Sequence, residues 1–180
     1  MPSHQHPGQK PQGHQGESRA HHDDARKSLK LGVITASDTR TRETDESGAV
    51  VRVLVEDAGH RVTHYEIVPD EPARIRAAIT ANLPALDAII INGGTGISPR
   101  DTTVEVVRAV LDKELAGFGE LFRMLSYQEV GSKAMMSRAV AGVSGGKLLV
   151  AIPGSPAACR LALERLIIPE LHHIAAQLGL

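Results

Sequence analysis

Ile89-Ile90-Ile91-Asn92-Gly93-Gly94-Thr95-Gly96-Ile97-Ser98-Pro99-Arg100-Asp101 joins an apolar run to a glycine-rich turn and then to an Arg-Asp pair, after which a helical pattern begins. This is the layout of a phosphate site at the end of a buried strand. Glycines let main-chain N–H groups approach an anion with no Cβ in the way, the following helix offers its positive N-terminal end, and Arg100 can add charge-assisted hydrogen bonds. Asp101 is the odd member, because a carboxylate repels phosphates unless a divalent cation lies between them. Mg²⁺ held by a carboxylate and phosphate oxygens resolves that conflict. Two familiar nucleotide loops are excluded. The P-loop needs Gly-Lys followed by Ser or Thr, and no Lys occurs between Lys30 and Lys113; the dinucleotide fingerprint needs Gly where Pro99 stands. A purely structural alternative is a strand-to-helix turn capped by Thr102, with Glu105 closing a capping box and Asp101 merely favouring the helix dipole.

On either side of this stretch, strand-like and helix-like segments alternate from Leu29 onward. Leu31–Thr35 and Arg61–Val68 predict strands, and Ala49–Ala58 a helix closed by Gly59. Asp70-Glu71-Pro72 predicts a helix start with Asp70 as N-cap, and Ile75, Ile79 and Leu83 share one apolar line. Leu86–Ile91 suits a strand buried on both faces and Thr103–Leu111 a helix. Glu120–Val130 predicts another helix, in which Glu120, Arg123 and Ser126 read as a solvated polar face, and a short helix follows near Met135-Met136. Ala139–Val143, Ser144-Gly145-Gly146 and Lys147–Ile152 predict a hairpin, and Ser155-Pro156 caps a terminal helix interrupted at Pro169. The alternation implies a three-layer α/β/α sandwich around a mostly parallel sheet. Ligands of such sheets gather at the carboxyl ends of the strands, which here carry loops 35–48, 69–71, 92–101 and 153–156.

Residues 1–28 are Pro, Gly, Gln, His and Ser with almost nothing apolar, so a disordered polar tail precedes one domain over 29–180. The formal charge of −1 leaves no global field to draw nucleic acid or membrane, and the absence of tryptophan excludes a base-stacking platform built on that residue. No stretch reaches the ~20 apolar residues that span a bilayer. Cys159 is the single cysteine and reads as a small buried hydrophobe, in keeping with a cytoplasmic protein. His60 and His64 read as surface residues flanking one strand.

If Asp70 and Asp101 converge, two carboxylates can flank one Mg²⁺ and the triphosphate it carries. Ser37, Asp45 and Ser47 can contact a phosphate or simply cap a helix, and Pro153-Gly154-Ser155 forms a further substrate edge or cap.

Taken together, these motifs resemble the MoaB and MogA family of molybdenum cofactor biosynthesis proteins, whose fold recurs in gephyrin. The resemblance covers residues 29–178 and rests on Gly93–Asp101, Pro69-Asp70-Glu71, Ser37-Asp38 with Asp45 and Ser47-Gly48, and Pro153–Pro156. Gly117–Tyr127 with Ser137-Arg138-Ala139 resembles the MoaB branch. It implies a molybdopterin-binding fold that assembles as trimers or hexamers. The implied reaction is adenylylation of molybdopterin by Mg-ATP, with release of pyrophosphate. By motif, Asp70 and Asp101 would be the essential acidic residues. Gly93, Gly94, Thr95 and Gly96 would cradle phosphate, with Arg100 beside them, and Ser37, Asp45, Ser47, Pro153, Gly154 and Ser155 would contact pterin or phosphate. A non-catalytic pterin carrier of the same pathway is the alternative. A carbinolamine dehydratase ranks last, since no compact histidine cluster is visible.

Overall fold

The structure, a computed structural model, describes residues 27–180. The polar segment 1–28 and its histidines lie outside the described residues, apart from Lys27 and Ser28. Six strands form one sheet, in the order β2-β1-β3-β6-β5-β4. They are β1 (Lys30–Ala36), β2 (Arg61–Val68), β3 (Ala88–Asn92), β4 (Lys113–Glu114), β5 (Val140–Ser144) and β6 (Lys147–Ile152). β2, β1, β3 and β6 run parallel, while β5 is antiparallel to both of its neighbours. The two-residue β4 was not expected, being too short to leave a period in the sequence.

The helices are α1 (Glu46–Asp57), α2 (Pro72–Asn82), α3 (Thr103–Arg108), α4 (Ala116–Val130), α5 (Pro156–Ala162) and α6 (Ile168–Leu178). Strand alternation sorts the core into two halves. Leu31, Val33, Ala88, Ile90, Leu148 and Val150 pack with Val51 and Val55 of α1, Phe122 of α4, and Cys159, Leu161 and Leu171 of the C-terminal helices. Ile34, Ile89, Ile91, Leu149 and Ala151 pack on the opposite face against Ile75 and Ile79 of α2 and Val104 and Val107 of α3. This is the expected α/β/α sandwich.

Several local expectations change. α1 begins at Glu46 because Asp45, not the apolar periodicity, sets its start: the carboxylate accepts from Gly48 N at 2.9 Å. α4 begins at Ala116, ahead of the expected Glu120, and α3 stops at Arg108. Pro169 does not break the terminal helix. A π-turn at Leu163–Ile167 widens the coil just before it, where a proline ring would otherwise meet the carbonyl four residues back. His60 is not a surface residue. It is buried at 4% exposure, accepts from Leu29 N through Nδ1 at 3.3 Å, and lies 4.8 Å from the His172 ring.

Candidate active site

The register brings the strand ends level. Ala36 pairs with Val68, Thr35 with Asn92, and Asn92 with Ile152, so the loops after β1, β2, β3 and β6 open on one edge. The strand order also reverses there, since β2 lies on one side of β1 and β3 on the other. A crevice results at that switch point.

The glycine turn occupies it. Gly93 and Gly94 have φ of +99° and +63°, and a Cβ on Gly93 would run into the Ala36 carbonyl. Only glycine satisfies both demands. Gly93 N is tied to Ile152 O at 3.0 Å, whereas the N–H groups of Gly94, Thr95 and Gly96 make no hydrogen bond to any described residue. They border a cleft of about 410 Å³ that Gly93–Gly96, Asp101, Pro153, Gly154 and Ser155 line on one side. Phe122, Ser126, Glu129, Lys133 and Ser137 line the other.

Two carboxylates bracket this turn. Asp101 lines the cleft, with Oδ2 accepting from Ser98 N at 2.8 Å and lying 2.8 Å from where a Gly96 Cβ would stand. Asp70 Oδ1 lies 3.0 Å from the corresponding point on Gly94. That oxygen is buried without a partner, and so are the hydroxyls of Thr102 and Thr103. Burial, then the nearby Asp38 and Asp101 carboxylates, raise the Asp70 pKa above the usual carboxylate value, with Arg100 opposing them. A desolvated acid beside like charges favours any bound cation. Among the described residues no set of three or more His, Cys, Asp or Glu side chains could hold a metal alone. Two carboxylates completed by phosphate oxygens suit Mg²⁺ better than a full protein cage.

Both capping alternatives fail in the structure. Glu71, not Asp70, occupies the N-cap position of α2, and its side chain makes no capping bond. Thr102 makes none either, and Glu105 pairs with Arg138 instead of closing a box.

Residues 32–173 match the family described as "Probable molybdopterin binding domain". The chain is 50% identical over 161 residues to molybdenum cofactor biosynthesis protein B of Halalkalibacterium halodurans, covering 88% of this chain and 95% of that one. It belongs to the MoaB/MogA molybdopterin-binding family. A crystal structure of a molybdenum cofactor biosynthesis protein B, 51% identical, superposes with a TM-score of 0.84 over 86% of this chain and 98% of its own. The tungsten cofactor synthesizing protein MoaB from Pyrococcus furiosus, 35% identical, gives 0.77 over 84% and 97%.

On this MoaB/MogA framework not every expected residue faces the cleft. Asp45 and Ser47 are buried in a separate network. Asp45 accepts from Thr35, from Ser47 at 2.9 Å and from the Tyr65 hydroxyl at 2.7 Å, while Ser47 Oγ also lies 2.8 Å from Asn92 Oδ1. Burial pushes the Asp45 pKa up, but these donors outweigh it and leave the group below the usual value. A carboxylate already surrounded by donors has little left for a substrate, so direct contact by Asp45 and Ser47 is corrected to support of the β1 and β3 ends. Ser37 accepts from Thr39 N and Arg40 N and lines a neighbouring groove, not the cleft. Arg100 is paired with Asp38, whose other oxygen accepts from Asp70 N at 3.1 Å. Ser155 lines the cleft and caps α5 by accepting from Ala158 N.

Sequence reasoning missed Thr103, Lys133, Arg138 and the role of Asp38. Ser126, expected on a solvated face, is buried at 8% exposure against the cleft. Thr103 follows the threonine that reads as the helix cap, and Asp38 and Arg100 lie 62 positions apart, so no local pattern signalled either.

Proposed function

We propose that the protein is a cytoplasmic molybdopterin adenylyltransferase of molybdenum cofactor biosynthesis, using Mg-ATP. Asp70 carries this reading: a buried, unpartnered carboxylate oxygen beside a second carboxylate and a turn of unengaged N–H groups. An oxygen of the pterin's terminal phosphate attacks the α-phosphorus of ATP, the α–β P–O bond breaks, and pyrophosphate leaves with the electron pair. That phosphate is already ionised at neutral pH, so no strong base is required. Gly94, Thr95 and Gly96 N–H groups neutralise phosphate charge, and the cleft walls align the two anions. A divalent cation arriving with the triphosphate would be held by Asp70 and Asp101 and supplies further charge neutralisation. The cleft's far wall, with Phe122, Ser126 and Lys133, offers the pterin an apolar surface with polar contacts.

Pyrophosphate release from Mg-ATP that requires molybdopterin tests the reaction. Asp101→Asn and Asp70→Asn should each lower it by roughly 10²-fold or more while pterin binding persists. Unchanged turnover in both variants would sink the proposal. One observation favours a non-catalytic pterin carrier instead: Asp38 already engages Arg100. Such a carrier would bind pterin and release no pyrophosphate.

Self-assembly into trimers or hexamers belongs to the same reading. Leu121, Met124, Tyr127 and Val130 expose apolar surface along α4, and Met135 adds to it, which supports coverage by further copies.

A further inference from the structure

We infer that Arg138 is the positioning residue of the glycine turn: it holds the carbonyls of that turn and so keeps its N–H groups free for an anion. This rests on the adenylylation reading for the identity of the anion, but not for the mechanics of the turn.

An irregular segment must place every carbonyl somewhere, because buried backbone polar groups do not go unpaired. Between β3 and α3 those partners converge on one residue. Arg138 N donates to Thr95 O at 3.1 Å, Nε donates to Gly96 O at 2.7 Å, and Nη2 donates to Asp101 O at 2.7 Å. The remaining arm, Nη1, pairs with Glu105 on α3. Thr103 N donates to a further carbonyl of the turn, Gly94 O, at 3.1 Å. Donors therefore hold the carbonyls of residues 94, 95, 96 and 101, and the N–H groups of 94, 95 and 96 are left without described partners.

Arg138 does this from outside the reaction space. It does not line the cleft but a separate groove, with Ile97, Ser98, Pro99, Asp101, Thr102 and Glu105. The guanidinium is suited to the task by its planar fork: three arms reach Gly96, Asp101 and Glu105 at once, which a lysine ammonium on a flexible stem does not reproduce. Glu105 fixes the fork, and the Arg138 guanidinium in turn holds the Glu105 carboxyl below its usual pKa. Because Arg138 lies two residues before the start of β5, the turn after β3 is registered against a strand two places along the sheet.

The test uses the full chain with Arg138→Met and Arg138→Lys, read in three ways. Hydrogen exchange without ligand should show faster exchange confined to residues 98–103 in both variants, where the amides of Ser98, Asp101 and Thr103 are hydrogen-bonded. Calorimetry with Mg-ATP should show roughly tenfold or greater weakening, and steady-state kinetics a raised KM for ATP. Arg138→Lys keeps the charge, so thermal stability that recovers in it while binding does not separates positioning from a general stabilising role. Exchange at 98–103 that stays at wild-type rates, or Mg-ATP affinity restored in full by lysine, overturns the inference. If wild-type protein binds no Mg-ATP, the adenylylation reading falls, and the exchange measurement still decides the role of Arg138.

Discussion

Thr103 and Asp70 show what a site costs at the level of single side chains. The Thr103 residue is fully buried and its hydroxyl has no partner, and a Gly94 Cβ would meet both that hydroxyl and Asp70 Oδ1. Leaving a polar group desolvated and unpaired is expensive, so Thr103→Val should raise the denaturant midpoint, by about 1 kcal/mol in stability. Should the hydroxyl serve the ligand, the same variant lowers turnover; a lowered midpoint would mean that the group is satisfied in solution. Asp70 has a definite sign. Its pKa in the fold lies above the unfolded value, so ionisation opposes folding at neutral pH and that cost fades as pH falls through the folded pKa. Asp70→Asn is therefore expected to stabilise the protein at neutral pH while lowering any pyrophosphate release, with a gain that shrinks toward acid in urea titrations at several pH values. A buried polar group left without a partner is the pattern these two residues share.

The elements were easier to foresee than their ends. Ile89, Ile90 and Ile91 declare a strand buried on both faces, and Ile75 with Ile79 a helix against it, because burial selects apolar side chains at the spacing of each element. Caps and turns are set by single polar contacts, which sequence offers in excess. Asp45 illustrates the point: in the sequence it competes with Ser47 as cap or ligand, and in the fold it starts α1 while accepting from Thr35, Ser47 and Tyr65. Arg42 and Arg52 lie 5.1 and 5.0 Å from the Tyr65 ring centroid and fix that side of the network. The Asp45→Asn substitution should cost about 1–3 kcal/mol in thermal or chemical denaturation, since an amide cannot accept from all those donors. A loss below a few tenths of that would remove Asp45 as the organiser of the β1–α1 corner.

At the scale of the whole molecule, α6 packs on one face of the sheet and sets His172 against the buried His60. Burial, followed by the neighbouring His172, depresses the His60 pKa below its ordinary 6.5. The unfolded chain therefore takes up a proton first: this contribution to stability is present above about pH 6.5 and is lost as pH falls through the folded value. Denaturation midpoints between pH 7.5 and pH 5 should decline in the wild type and change less in His60→Gln; identical slopes would place the acid sensitivity elsewhere. Histidines 112 positions apart met here because the fold brought the end of α1 to α6, and nothing in either local sequence announced it. The α/β/α layering, the four loops at one sheet edge and the glycine turn were set by sequence alone, because hydrophobic period and glycine stereochemistry act over a few residues. Which polar groups meet was decided only by tertiary structure: Asp70 on Asp38, Asp38 on Arg100, Arg138 on the turn, and Asp45 turned inward. Those contacts depend on strand order and register, which bring remote residues within a hydrogen bond's reach and leave no periodic trace.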